Sequence, residues 1–258
     1  MSDPFLPERA VLFRCPVDAV TMEEAVDWVD RRIAEGTACR VGAVNAAKLV
    51  KIEKDPDLAR VVTACELIIA DGMGVVWASP FLCGRRLRRV AGIDLMEALV
   101  ARAEEKGHRV YFLGARPQVL DRMLERLRER HPALVVAGSH HGYFRCEEEP
   151  EIVEKIRRSS PHLVFVGMGT PAKELWIDRN YAKVGPAVSM GVGGSFDVLA
   201  GVVQRAPRWM QRLGMEWLFR LLQEPRRLWR RYLSTNVVFL ARVMARVLAR
   251  PFSRRGKP

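Results

Sequence analysis

Short apolar segments alternate with longer amphipathic segments through residues 1–200 of the chain. The apolar segments are rich in β-branched and aromatic side chains, which predicts strands at 40–44, 67–70, 109–113, 134–137, 163–166 and 187–190. The segments between them, such as 118–130 and 148–159, have apolar residues at helical spacing. This alternation is typical of βαβ units, so it predicts an α/β fold with a Rossmann-like, mainly parallel sheet. Such sheets bind ligands at the carboxyl ends of their strands.

The pattern changes near residue 201, where a basic and apolar C-terminal segment begins. Residues 1–200 carry 28 Lys or Arg and 28 Asp or Glu, whereas residues 201–258 carry 14 basic and two acidic residues. The formal net charge of +12 therefore belongs to the C-terminal segment alone. Apolar spacing predicts two or three helices from Arg208 onward, with Pro225 separating the first from the second. We thus expect an α/β body (residues 1–200) and a basic, amphipathic helical tail (residues 201–258).

The tail combines arginines with large apolar residues, a combination that suits an anionic membrane surface. The apolar face of residues 209–222 could equally pack on the body. In residues 233–248 the apolar positions are flanked by arginines and no acid lies nearby, which favours membrane contact. A nucleic-acid-binding α/β protein is the alternative interpretation, but nucleic acid could not bury the apolar face of residues 233–248.

The rest of the composition predicts a cytoplasmic protein. The N-terminus has acids and prolines where a signal peptide needs a continuous apolar segment. No apolar segment approaches the ~20 residues that a membrane-spanning helix requires. The five cysteines are odd in number and include no C-x-x-C pair, which is typical of reduced thiols in a cytosol.

Two polar residues follow the first two predicted strands. Asp71 ends a very apolar strand and precedes two glycines that would let a ligand approach closely. A carboxylate so placed can be partly desolvated and act as a general base, or it can cap the next helix from a tight turn. The sequence favours neither role over the other. Asn45 opens the helix after the first strand, where an N-cap is the expected role.

Three further segments could bind an anion. Arg89 precedes a predicted helix, where a guanidinium can hold a phosphate or a carboxylate, although most arginines are solvated surface charges. Two glycine-rich segments follow strands and open helices, so their backbone N–H groups could bind a diphosphate. They contain Gly167 in the first segment, and Gly193 and Gly194 in the second. The second segment resembles a dinucleotide-binding fingerprint only loosely, so a nicotinamide-dependent oxidoreductase is a weak alternative.

The sequence contains no convincing set of metal ligands. His140 and His141 are adjacent, so a strand would point them to opposite faces of the sheet. Asp55 and Asp57 form a D-x-D pattern, but they lie between two helical segments, where a turn and an N-cap are expected. The residues alone thus predict an α/β protein with phosphate-binding loops and a basic tail, and they do not specify a reaction.

An ordered series of motifs resembles the WecG/TagA/CpsF family of bacterial glycosyltransferases (glycosyltransferase family 26). The series extends from about residue 41 to residue 233. It comprises VNAAKLV, ELIIADGMGVVWA, RVAGIDLM, VYFLGARPQV, VFVGMGTPAKELWI, GVGGSFDVLAG and RAPRWMQRLGMEWLFRLLQEPRRLWRRYL. Each motif alone is weakly specific, whereas the ordered series is highly specific.

The resemblance implies an inverting transferase in bacterial cell-surface polysaccharide synthesis. Its donor would be a UDP-activated sugar, of the N-acetylmannosamine type or a uronic acid. Its acceptor would be a sugar on a polyprenyl diphosphate, which implies a peripheral protein on the inner face of the cytoplasmic membrane. The resemblance implies no metal ion, no other cofactor and no nucleic acid partner.

The resemblance also implies roles for individual residues. Asp71 matches the family's catalytic base, and Arg89 matches an active-site arginine that contacts an anionic part of the substrates. Asn45 falls in the first loop of the pocket. Three arginines of the tail match family residues that are thought to close over the site and stabilise the leaving diphosphate. They are Arg220, Arg227 and Arg230.

The chain departs from the family pattern at two positions. Lys173 stands where the family usually has Gln, within Pro171-Ala172-Lys173-Glu174. A cation there suits an acidic donor sugar or an additional phosphate contact, so the sequence leaves the charge of the donor sugar open. Ala43 occupies a position that often carries a hydroxyl group in the family, which removes one possible hydrogen bond.

Overall fold

The computed structural model describes residues 9–249, and at positions 212, 227, 228 and 230–233 it describes the backbone without the side chain. Within this part of the chain, β1 (Ala10–Leu12) and β2 (Cys15–Val17) form an antiparallel hairpin. Six further strands form one parallel sheet in the order β4-β3-β8-β7-β5-β6. These strands are β3 (Cys39–Val44), β4 (Leu67–Ala70), β5 (Arg109–Gly114), β6 (Val135–His140), β7 (Leu163–Gly167) and β8 (Val188–Gly191).

Helices connect the strands and cover both faces of the sheet. In the body they are α1 (Met22–Ala34), α2 (Ala46–Ile52), α3 (Pro56–Thr63), α4 (Met73–Cys83), α5 (Gly92–Lys106), α6 (Pro117–Arg130), α7 (Glu149–Arg158), α8 (Ala172–Asn180) and α9 (Ser195–Leu199). The predicted α/β fold with a parallel sheet is confirmed, and each predicted strand is present within three residues of its expected bounds.

The core follows the period-2 alternation of the strands. Val41, Phe112 and Phe165 point to one face, where they pack with apolar residues of α1, α5, α6 and α9. Alternate positions of the strands point to the other face, where α2–α4 and the hairpin cover β3 and β4, and α7 and α8 cover β5 and β7. The hairpin is fastened to β4 by Asp18, whose buried carboxylate accepts a hydrogen bond from the backbone N–H of Ile68 (2.7 Å).

The tail forms three helices among the described residues: α10 (Arg208–Arg212), α11 (Glu216–Gln223) and α12 (Pro225–Leu248). A helix begins at Pro225 as expected, but Pro225 separates the second tail helix from the third instead of the first from the second, because the turn at Gly214 already divides residues 208–223 into α10 and α11. Residue 250 and those beyond it lie outside the described residues, and they include three of the arginines that make the tail basic: Arg250, Arg254 and Arg255.

The tail packs against the body rather than standing apart from it. Phe239 and Val243 of α12 are buried in one apolar cluster with the hairpin, α2 and α3. The rings of Phe13 and Phe239 meet edge to face, with their centroids 5.8 Å apart. Arg242 forms an ion pair with Glu53 of the body, so this tail arginine has an acidic partner that the local sequence did not reveal.

Only part of the apolar face of residues 233–248 is therefore buried. On the other side of α12, Val237, Leu240, Met244 and Leu248 are each at least half exposed. In the described part of the chain, we find no helix with both the length and the apolarity that crossing a bilayer requires.

Candidate active site

A cleft of about 1450 Å³ opens at the carboxyl edge of the parallel sheet. Its floor is formed by the loops after β3, β4, β7 and β8, and its outer wall by α11 and α12 of the tail. The cleft thus lies where parallel α/β sheets bind their ligands. The structure brings most of the predicted site residues together here: Asn45, Asp71, Arg89, Gly167, Lys173, Gly193, Gly194 and Arg220 all line the cleft.

Asp71 is the first residue after β4, and its backbone N–H donates to the carbonyl oxygen of Val44 at 2.8 Å. This bond fixes the residue between the ends of β4 and β3. The helix that follows takes Gly72 as its N-cap and has no side-chain cap, so Asp71 does not have the capping role that the sequence left open. Among the described residues, none makes a hydrogen bond or an ion pair with its half-buried carboxylate. The carboxylate is therefore available to a ligand in the cleft.

Asn45 is the N-cap of α2, as predicted. Its Oδ1 atom accepts a hydrogen bond from the backbone N–H of Lys48 at 3.0 Å. The cap holds the side chain at the mouth of the β3–α2 loop, next to Gly72 of the β4–α4 loop. Asn45 thus combines a structural role with a position in the cleft wall.

Arg89 lies in the loop before α5, alongside the end of β4. The backbone N–H of its neighbour Val90 donates to the carbonyl oxygen of Ala70 at 3.0 Å. The Arg89 guanidinium donates from Nη2 to Oε2 of Glu216 on α11, at 2.7 Å. The other Glu216 oxygen lies 3.8 Å from Nε of Arg205. A residue of the tail thus contacts the cleft arginine directly.

The tail approaches the cleft closely through the turn between α10 and α11. Gly214 in this turn has a φ of 64°, and a Cβ atom there would lie 2.6 Å from Cβ of Met73. Glycine is therefore needed both for the backbone conformation and for the approach to α4. Arg220, one turn after Glu216 on α11, is half-buried in the same wall. Arg227 and Arg230 lie on α12, but their side chains are outside the described set.

The two glycine-rich segments form adjacent parts of the floor. Gly167 ends β7 against the ring of Phe196, and Gly193 and Gly194 connect β8 to α9. Both segments precede helices, as predicted, with α8 starting at Ala172 and α9 at Ser195. At the glycine positions these loops present backbone without a side chain, which leaves room for a polar ligand.

Lys173 is buried at the start of α8 within a compact set of polar side chains. Oε1 of Glu174 accepts hydrogen bonds from the ammonium groups of Lys173 and Lys48, both at 2.8 Å, and from Oγ1 of Thr170 at 3.0 Å. Burial by itself would raise the pKa of Glu174, but the charges of Lys48 and Lys173 outweigh it and hold that pKa at about 2. Glu174 is therefore ionised at neutral pH.

Sequence reasoning missed several residues of the cleft. Lys48 lies one turn after Asn45, in a motif that was noted only for its asparagine. Arg116 and Tyr143, from the loops after β5 and β6, line the far end. Glu216 is one of only two tail acids, and that rarity was the signal that could have singled it out.

The D-x-D pattern has the structural role predicted for it. Asp55 is the N-cap of α3 and accepts a hydrogen bond from the backbone N–H of Leu58 at 3.0 Å. Within residues 9–249, no three His, Cys, Asp or Glu side chains are grouped as metal ligands would be. Among the side chains that the structure describes, six that line the cleft are positively charged: Lys48, Lys51, Arg89, Arg116, Lys173 and Arg220.

Comparison with known families covers nearly the whole chain. The sequence model described as "Glycosyl transferase WecG/TagA/CpsF family" matches residues 10–253, from the N-terminal hairpin through the tail. The match confirms the resemblance carried by the motifs, and it favours a glycosyltransferase of cell-surface polysaccharide synthesis over an oxidoreductase or a nucleic-acid-binding protein. The chain belongs to the WecG/TagA/CpsF family of glycosyltransferases.

Proposed function

We propose that this protein is an inverting glycosyltransferase that moves a sugar from a UDP donor to a sugar on a polyprenyl diphosphate. The donor sugar is of the N-acetylmannosamine type or a uronic acid, and the product is an intermediate in cell-surface polysaccharide synthesis. One observation carries the proposal: the carboxylate of Asp71, which pairs with no side chain that the structure describes, stands in a cleft at the carboxyl edge of a parallel sheet.

The size of the cleft supports a reaction between two large substrates. Pockets for one small molecule are about 300–1000 Å³ in volume. The observed cleft, at about 1450 Å³, leaves room for a sugar nucleotide and for the end of a glycolipid. The floor and the tail wall offer separate surfaces for them.

Asp71 acts as the general base. Its carboxylate removes the proton from the acceptor hydroxyl as that oxygen attacks the anomeric carbon of the donor sugar. A new bond forms between this oxygen and the anomeric carbon, while the bond from the anomeric carbon to the β-phosphate oxygen breaks and releases UDP. A single displacement from the opposite face inverts the anomeric configuration. The proton remains on Asp71 until solvent takes it.

Arginines stabilise the charge that develops on the departing UDP. Arg89 and Arg220 line the cleft from the body and from the tail, and guanidinium groups match phosphate oxygens in a fixed fork. The family resemblance implies the same role for Arg227 and Arg230 of α12. Fixed positive charge in a partly desolvated site provides electrostatic stabilisation of the leaving group without a metal ion.

The tail completes the cleft and brings it to the membrane. Exposed apolar residues surround the tail side of the opening: Trp77 and Phe81 on α4 are 51% and 54% exposed, and Leu240 and Met244 on α12 are 62% and 50% exposed. A rim of this kind suits the acyl region of an anionic membrane and the polyprenyl chain of the acceptor. The protein is then cytoplasmic and peripheral, on the inner face of the cytoplasmic membrane.

The direct test measures UDP release from a panel of UDP-sugars, with and without a short-chain lipid diphosphate acceptor. We expect acceptor-dependent release with at least one donor, and an inverted anomeric linkage in the product by NMR. Asp71→Asn serves as the matched inactive variant. Absence of acceptor-dependent release over the whole panel, with the protein folded, would contradict the proposal.

A further inference from the structure

The cluster formed by Lys48, Glu174 and Lys173 lies at the floor of the cleft between the ends of β3 and β7. Its charged side chains are 9%, 10% and 8% exposed, respectively. Lys48 and Lys173 line the cleft, whereas Glu174 lies behind them and receives a hydrogen bond from each. The ammonium groups are thus the members of the cluster that a ligand would meet.

The cluster brings two ammonium groups to one carboxylate, and Lys173 also donates a hydrogen bond to Oγ1 of Thr170 at 2.5 Å. Two ammonium groups share a single carboxylate, and both contact the same oxygen, Oε1 of Glu174. Burying charge in a protein is costly unless opposite charge and hydrogen bonds compensate for it. Two cationic groups at a desolvated wall of the cleft would attract an anionic oxygen of a bound ligand.

The glycine-rich loop after β8 gives a ligand access to Lys173. The lysine side chain runs beneath Gly191, where a Cβ atom would lie 3.1 Å from its Cδ atom. Its Nζ atom would lie 4.0 Å from a Cβ atom at Gly193, which has a φ of 56°. Because neither position carries a side chain, the ammonium group faces an open part of the floor.

We propose that the Lys48–Glu174–Lys173 cluster is an anion-binding subsite for the donor, in which Lys173 contacts an anionic oxygen of the sugar nucleotide. This proposal rests on the proposed function, and it specifies which part of the cleft binds a negatively charged group of the donor. Two parts of a sugar nucleotide can supply such an oxygen: the diphosphate, which every UDP-sugar carries, and a carboxylate on the ring of a uronic acid.

Equilibrium binding to the full-length protein tests the subsite without requiring turnover. We would measure dissociation constants for UDP, UDP-glucose and UDP-glucuronic acid, and for a matched pair of UDP-N-acetylmannosamine and its uronic acid. The variants are Lys173→Gln, Lys173→Arg and Glu174→Gln. Lys155→Gln, which changes an exposed lysine on α7 outside the cleft, is the control. Thermal unfolding of each variant confirms that it is folded.

We expect Lys173→Gln to weaken binding of the contacted ligands by about 10-fold or more, because a hydrogen bond from a charged group is lost. Equal weakening for UDP and all UDP-sugars identifies the diphosphate as the source of the oxygen. Weakening confined to the uronic acids identifies the carboxylate and makes Lys173 a determinant of donor specificity. Lys173→Arg keeps the positive charge and should restore most of the lost affinity.

For Glu174→Gln we expect the opposite change in nucleotide affinity. Removing the negative charge of Glu174 removes its competition with the anionic oxygen of the ligand for the two ammonium groups, so the same nucleotides should bind more tightly than to the wild type. A merely structural cluster would instead make Glu174→Gln and Lys173→Gln weaken binding alike, which would overturn the proposal. Dissociation constants within twofold of wild type in Lys173→Gln would overturn it too, while the proposed function stands. A wild-type protein that binds none of the nucleotides would overturn both.

Discussion

Arg89 and Glu216 are 127 residues apart in the sequence, yet their side chains form an ion pair of 2.7 Å inside the cleft. Glu216 occupies one side of the guanidinium and leaves the remaining N–H groups for a substrate. The pair is also the point at which the tail contacts a residue proposed to act in the reaction. We therefore propose that Glu216 positions Arg89.

Removing the charge of Glu216 should disturb the reaction more than the fold. We expect Glu216→Gln to lower kcat/KM by about 10-fold, because a charged hydrogen bond that orients Arg89 is weakened. Glu216→Asp should restore part of the loss. The matched control is Glu97→Gln, which removes a carboxylate near Arg205 that does not touch Arg89. Equal effects of the Glu216→Gln and Glu97→Gln changes would show that only the packing of α5 against the tail had been altered.

Asp71→Asn should separate binding from chemistry. The amide has the size of the carboxylate and cannot accept the proton, so turnover should fall by about 10²–10⁴-fold while UDP-sugar binding and the melting temperature are unchanged. Steady-state UDP release, calorimetric titration and thermal unfolding measure the three quantities. Turnover within a few-fold of the wild type would remove Asp71 from the role of base.

Chelation tests the proposal that arginine and lysine side chains alone neutralise the diphosphate. Activity should be unchanged after treatment with EDTA. Asp55→Ala should lower the free energy of unfolding by about 1 kcal/mol through loss of the α3 cap, with little effect on turnover. Activity that depended strictly on Mg²⁺ or Mn²⁺ would contradict this proposal and would favour Asp55 and Asp57 as metal ligands.

The two sides of α12 should respond differently to substitution. Replacing the exposed Leu240 and Met244 by serine should weaken binding to anionic liposomes about 10-fold and change the unfolding free energy by less than about 1 kcal/mol. Phe239→Ala should cost about 3 kcal/mol of stability, because it leaves a cavity against Phe13. Co-sedimentation and chemical denaturation measure the two effects. Unchanged liposome binding in the double variant would contradict a membrane-facing rim.

The ion pairs of Glu174 should make the free energy of unfolding depend on pH in acid. Its pKa is held at about 2 in the folded protein, below its ordinary value near 4.5, so the unfolded chain binds its proton first as the pH falls. The stabilisation is therefore complete above about pH 5 and is lost progressively as the pH falls toward 2. Glu174→Gln should flatten the dependence of unfolding free energy on pH in this window, and an unchanged slope would argue against the pairs.

The sequence was sufficient to predict the six strands of the sheet, because each is a short segment of buried apolar residues with clear turn signals. The hairpin was not predicted, since its strands have three residues each and one contains Pro16. The turn that connects the two strands contains Phe13 and Arg14, whose φ values are positive, at 47° and 68°. Phe and Arg rarely adopt positive φ, so their identity does not predict this turn.

Candidate site residues were predictable where they follow strands, as with Asn45 and Asp71. The ion pair of Arg89 with Glu216 was not, because no local pattern links positions so far apart. The role proposed for Lys173 likewise depends on Lys48, which approaches Glu174 from the end of a different strand. Such contacts arise from the order of the strands in the sheet, which the sequence pattern leaves undetermined.

Among the described strands, β8 is the last in the sequence but lies in the interior of the sheet, bonded to β3 on one side and to β7 on the other. Without it, the pair β3–β4 and the trio β5–β6–β7 share no backbone hydrogen bonds and expose two open edges. We therefore expect insertion of β8 between them to be a late event in folding, because it requires contacts between residues such as Val41 and Met190 that are distant in the chain. The loop that follows β8 carries Gly193 and Gly194, so the cleft gains this part of its floor only when the two halves of the sheet are joined. A molecule arrested before that step would be unable to bind the donor and prone to pair its open edges with other chains.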